Sequence, residues 1–84
     1  MEMVCKTKDI IEAYDHAESE YLFWEKMMTQ YGWNADNAIA AAQYYGQMNA
    51  IATWAFVSND DRRLLDRLED FRPRLYKEDY EEGS

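Results

Sequence analysis

The chain has one histidine, His16, and it stands between Glu12 and Glu20 in the line E-x3-H-x3-E. On a helix that spacing places one of the three residues on each turn of a single face. Two carboxylates and an imidazole so arranged can share a metal ion. Di-iron and di-manganese bundles, however, use Glu-x-x-His motifs in pairs, and this chain has no second histidine. A structural zinc site wants four Cys or His ligands, against one of each here. The three residues are therefore read as surface i,i+4 pairs whose carboxylates favour the charged imidazole. No metal and no cofactor are expected.

Other chemistry-bearing residues give equally little support for catalysis. Asp15-x2-Glu18 and the tail acids Glu78, Asp79, Glu81 and Glu82 supply carboxylate pairs. General acid–base work needs carboxyls set in a cleft with separated pKa values, and these fall on an outer helix face and in a terminal segment. There is no glycine-rich phosphate loop, nucleophile elbow or CxxC. Cys5 lies beside Lys6 and Lys8, which would lower a thiol pKa slightly; it is read as an ordinary terminal residue. Arg62, Arg63 and Arg67 form a basic cluster, but Asp60, Asp61, Asp66, Glu69 and Asp70 are interleaved with them. Mixed signs on one helix usually mean a solvated face of weak ion pairs. No enzymatic activity is expected.

The elements that carry these residues are all helical. Two-residue alternation is absent, and the few glycines and the proline fall where helices should end. The first helix should run from Asp9 to Tyr31, with Asp9 as an acidic N-cap and Glu12 completing a variant capping box. Ile10, Tyr14, Ala17, Tyr21, Trp24, Met28 and Tyr31 recur in alternating steps of four and three, a heptad seam of bulky side chains. Phe23 and Met27 lie beside it. Gly32 can take the left-handed conformation that stops the helix, and Trp33 can fold back on its last turn. Asn34 or Asp36 then caps a second helix ending near Val57. Ser58-Asn59-Asp60-Asp61 offers a fresh N-cap for a third helix, which extends to about Phe71 and places Leu64, Leu68 and Phe71 on one side with Leu65 next to them. Arg72 precedes Pro73, which disfavours helix. The tail is expected to dock through Leu75 and Tyr76 and to be solvated beyond them.

The expected fold is thus all-α: a long antiparallel helical hairpin plus a shorter third helix, assembled as a helical-bundle homodimer. Residues 1–8 read as a flexible N-terminus, 9–76 as a single helical domain and 77–84 as an acidic C-terminal tail. A chain of 84 residues holds one core and buries only about 60–65% of its unfolded surface. Domains of this size usually need disulfides, metal or oligomerisation, and a lone cysteine forbids an internal disulfide.

The formal charge is −8. That argues against direct nucleic-acid binding and against an anionic membrane, while leaving a basic protein partner open. The start, MEMVCKTKD, has no apolar core or cleavage site of a signal peptide. With a single thiol, it points to a cytoplasmic protein.

Against that charge, Asn37 to Asn59 carries no charged residue at all. The run is long enough for a bilayer, but its Asn, Gln and Ser side chains and its many alanines argue against a membrane span. Placed at 100° per residue, it divides into three groups. Ala41, Tyr45, Met48, Ala52 and Ala55, flanked by Ala38, Tyr44, Ile51 and Phe56, form a wide apolar face for the internal core. Ala38, Ala42, Gly46 and Ala50 form a ridge of small side chains. Glycine inside a helix costs about 1 kcal/mol relative to alanine, which suggests that another backbone passes close to Gly46. Gln43, Gln47 and Trp54 form the third group, on the side where a solvated helix would carry Lys and Glu. Interface centres lack charge and are rich in Trp, Tyr and Met.

The resulting expectation is a non-catalytic interaction module that self-associates through its second helix. Gln43, Gly46, Gln47, Ala50 and Trp54 form the contact, with Asn49 a candidate for fixing register. The alternative expectation is an inhibitor of the phage anti-defence (anti-CRISPR-like) type. In it, Glu12, Asp15, Glu18 and Glu25 on the first helix would imitate nucleic-acid phosphates or plug a basic groove of a nuclease.

Overall fold

A computed structural model describes residues 7–81 of the chain. Three α-helices follow one another: α1 Thr7–Tyr31, α2 Ala35–Asn59 and α3 Arg63–Asp70, with a short 3-10 turn, η1, over Lys77–Tyr80. There is no strand among the described residues. Cys5 and the last three residues lie outside the described residues.

The helix ends follow local chemistry. Asp9 stands inside the first turn of α1 and is not its N-cap, because the helix already includes Thr7. Gly32 closes α1 at φ +98°, a left-handed conformation that glycine adopts without a Cβ clash. Its N–H still donates to Met28 O at 2.8 Å. Asn34 caps α2: its Oδ1 accepts from Asp36 N at 2.8 Å and Asn37 N at 3.1 Å. Two donors that have no helical partner are satisfied in this way.

α2 runs to Asn59, two residues beyond the expected end at Val57. Ser58 Oγ donates to Trp54 O at 2.7 Å and stays within the helix. Asp60 then turns the chain at φ 56°. The four residues expected to open the third helix are therefore divided, with Ser58 and Asn59 ending α2. Asp61 supplies the local anchor instead, since its Oδ1 accepts from Arg63 N at 3.0 Å. Its carboxylate also holds the Arg63 guanidinium at 2.7 Å. Those hydrogen bonds hold the Asp61 carboxyl down at about 2.

α1 and α2 are joined by three residues and lie antiparallel, as a short connection requires. The start of α1, Ile10 and Ala13, lines a groove together with Ala50, Ile51 and Trp54 from the far end of α2. Five residues of the α1 heptad are buried: Ile10, Tyr14, Ala17, Tyr21 and Met28. They meet Ala38, Ala41, Met48, Ala52 and Ala55 of α2 and Leu64 of α3. Large side chains from one helix against alanines of the other let the two axes approach closely. Tyr45, Trp24, Leu65, Leu68 and Phe71 are partly buried around that core. Tyr31, expected to extend the seam, is 75% exposed.

The C-terminal segment docks differently from expectation. Tyr76 points outward at 72% exposure, while Leu75 and Tyr80 pack on the core. Trp33 Nε1 donates to Leu75 O at 2.9 Å, so this tryptophan ties down the tail as well as covering the hairpin turn. Tyr80 OH donates to Arg74 O at 2.6 Å, and the Arg74 guanidinium lies 4.2 Å from the Tyr80 ring centroid.

The Cα envelope measures 49 × 24 × 15 Å, with a radius of gyration of 14.6 Å. A compact chain of this length has a radius of gyration of about 12 Å. Cα atoms lie about 2.3 Å from a helix axis, so a single layer of helices would be far thinner between Cα atoms than the 15 Å found. α3 lies against both helices of the hairpin, with Leu64 in the shared core and Arg67 on Asp15 and Glu18 of α1, and the other side of α2 stays uncovered among the described residues.

Candidate interaction surface on the second helix

α2 packs against both other helices. One side faces α1 and α3 through Ala38, Ala41, Met48, Ala52 and Ala55. The opposite side is open. Gln43, Gly46, Gln47, Ala50 and Trp54 are all exposed, as are Asn49 and Ala42. Trp54 is 54% exposed. A Cβ added at Gly46 would meet nothing within 4 Å, so no other part of the chain approaches it.

The proposed ridge of small residues is split by the fold. Ala38 is buried in the core, whereas Ala42, Gly46 and Ala50 face outward. The cause is geometric: each step of four residues advances about 40° around the helix. A row of four positions therefore winds from one face to the next. Phe56, placed on the core flank by the sequence, is also exposed and carries the Arg62 guanidinium 5.5 Å from its ring centroid.

Two apolar residues of the open face were not singled out from the sequence. Ile39 is 58% exposed and Val57 69% exposed. The signal was available, because Ile39, Gln43, Gly46, Ala50, Thr53 and Val57 recur in steps of four, three, four, three and four. That is the spacing of a coiled-coil seam, and all six are exposed. The more hydrophobic inner seam masks it when the whole helix is read at once.

Beside this face lies an apolar groove of about 330 Å³, lined by Asp9, Ile10, Ala13, Ala50, Ile51 and Trp54. Trp54 forms the shared edge of groove and face.

The acidic face of α1 is partly occupied from within. Arg67 Nη2 reaches Asp15 Oδ1 at 3.0 Å and Glu18 Oε1 at 2.8 Å, and its guanidinium sits 4.7 Å from the Tyr14 ring centroid. Burial lowers the affinity of Arg67 for its proton, but the Asp15 hydrogen bond and the Glu18 charge outweigh it, and the net shift is upward. Glu25 accepts from Tyr21 OH at 3.0 Å. Glu12 and His16 are exposed, and among the described residues no three His, Cys, Asp or Glu side chains come together to hold a metal. Arg63 is held by Asp61, and Arg62 reaches Asp66 at 3.9 Å.

Two buried polar atoms have no hydrogen-bond partner among the described residues: Tyr14 Oη and Trp24 Nε1. Burial, more than the neighbouring Glu18 charge, pushes the Tyr14 pKa up. No helix of the described residues is long and apolar enough to cross a membrane. No protein family, curated protein or solved structure matches the chain.

Proposed function

We propose that this protein is a non-catalytic, self-associating interaction module whose contact surface is the outward face of α2. One observation carries the reading. The second helix packs on α1 and α3 along one side and presents on the other an uncharged face with Ile39, Trp54 and Val57 each more than half exposed. Domains normally bury such faces against a second layer, and interface centres are depleted in charge and enriched in aromatic residues. The chain as a whole is strongly acidic, yet no charge falls between Asn37 and Asn59. Copies of a −8 chain can approach each other there with least repulsion.

Mimicry of nucleic acid toward a basic nuclease groove ranks second. Arg67 already holds Asp15 and Glu18, two of the four carboxylates which that reading needs free.

Gly46→Glu separates association from folding. The added side chain has open space in one copy, and exchanging glycine for glutamate should stabilise α2 by about 0.5–1 kcal/mol. The expected outcome is a higher unfolding midpoint together with loss of the dimer, read by light scattering or sedimentation from micromolar to millimolar concentration. A parent chain that stays monomeric throughout that range would refute self-association.

A further inference from the structure

We infer that the partner of the α2 face is a second copy of the same helix running antiparallel, with the twofold axis crossing at the level of Met48. The inference rests on the self-association reading and adds orientation, register and the residues that meet. Its basis is the order of the six exposed seam residues Ile39, Gln43, Gly46, Ala50, Thr53 and Val57. Read in either direction, the seam runs from a β-branched apolar residue, through a polar side chain with donor and acceptor, to two small residues, and out again in the same order. A twofold contact is isologous, so residue i meets j and j meets i. Only an antiparallel pair matches this palindrome layer by layer.

The layers are then defined. Ile39 packs on Val57 of the second copy. The Gln43 amide meets the Thr53 hydroxyl, two groups that can satisfy each other. Gly46 faces Ala50 at the centre, where small residues let the backbones approach closely. Gly46 thereby acquires the close neighbour that the single chain does not provide.

The flanks agree with the same register, as expected for an antiparallel coiled coil in which like flanking positions meet. Trp54 lies over Ala40 of the second copy and Phe56 over Ala42, each a large ring above a small side chain. Gln47 and Asn49 lie one on each side of the axis and meet their own symmetry mates. Each pair can exchange amide hydrogen bonds, and this fixes the register as a buried Asn does in coiled coils. A parallel pair would set Trp54 against Trp54 and leave Ile39 and Val57 each facing only itself.

Area and charge set the strength. The seam is about 27 Å long and about 10 Å wide. With the two aromatic flanks, two copies would cover on the order of 1,000 Å², at the small end of specific interfaces. No charged residue lies within the seam. Asp36 and Asp60, just beyond its two ends, come level with each other across the pair and share a sign. The dimer is therefore reversible and strengthens with added salt.

Cysteine cross-linking tests the register in a Cys5→Ser background, using a short bifunctional thiol reagent. Asn49→Cys should link to itself, since it adjoins the axis. Ile39→Cys alone and Val57→Cys alone should not, because each lies about 27 Å along the axis from its own mate; an equimolar mixture of the two should link to each other. Self-linking of Ile39→Cys in a dimeric chain would overturn the antiparallel register and leave self-association standing. A dimer in which none of these positions links would place the contact on another face and overturn the inference. A parent chain that is monomeric by light scattering, with no variant linking, would remove the self-association reading itself.

Discussion

Two buried tyrosines of α1 show how one hydroxyl group can hold the fold together and another can burden it. Tyr21 OH donates to Glu25 at 3.0 Å and accepts from Arg74 N at 2.6 Å, which fastens the C-terminal segment to α1. Tyr14, equally buried, has an unpartnered hydroxyl. The same substitution should therefore act in opposite senses. Tyr21→Phe should cost about 1–3 kcal/mol, since it leaves a backbone donor without its partner, whereas Tyr14→Phe should be neutral or stabilising by up to about 1 kcal/mol. Chemical denaturation of the two variants checks this. Burial also raises the Tyr21 pKa far above the ordinary 10.0, and raises Tyr14 and Tyr80 too. A raised folded-state value favours the neutral form in the folded chain, so the corresponding stability is complete below pH 10.0 and is lost as pH rises above it. The denaturation midpoint should fall progressively as pH rises above 10.0, the ordinary tyrosine value. Tyr21→Phe should flatten that fall.

The helices are bounded by a few side chains whose conformations explain where the chain turns. Asn34 holds the start of α2 with two hydrogen bonds, and Asn34→Ala should cost about 1 kcal/mol. Asp60 is the single non-glycine residue with positive φ among those described. Its left-handed conformation carries a steric cost that glycine avoids, and its negative charge faces the negative end of the α2 dipole. Asp60→Gly should therefore raise the thermal midpoint, by about 0.5–1 kcal/mol in stability. Scanning calorimetry of both variants would show shifts of opposite sign. The caps were partly visible in the sequence: Gly32 and Asn34 have the right types at the right places. The use of Asp60 as a stop was not, because aspartate is more often an N-cap and only the backbone path shows which helix it serves.

At the scale of the whole molecule, α1 and α3 cover α2 on one side only. Association through the open face should respond to salt in a way that distinguishes its origin. An uncharged seam between acidic chains, with Asp36 and Asp60 at its ends, should tighten as salt screens their repulsion. Binding of an acidic face to a basic groove should weaken instead. Sedimentation at low and moderate ionic strength measures the sign directly.

The sequence by itself determined the three-helix content, the α1 seam and the apolar face of α2, because periodicity fixes which side chains share a face and the hydrophobic effect fixes that such a face is buried. The same periodicity placed Gln43, Gly46, Gln47, Ala50 and Trp54 away from the core, where they are exposed. Only the tertiary structure decided that Arg67 spends its charge on Asp15 and Glu18, and that Tyr80 and not Tyr76 anchors the tail. Each of these depends on where distant parts of the chain arrive, and the spacing of residues within a helix carries no information about that.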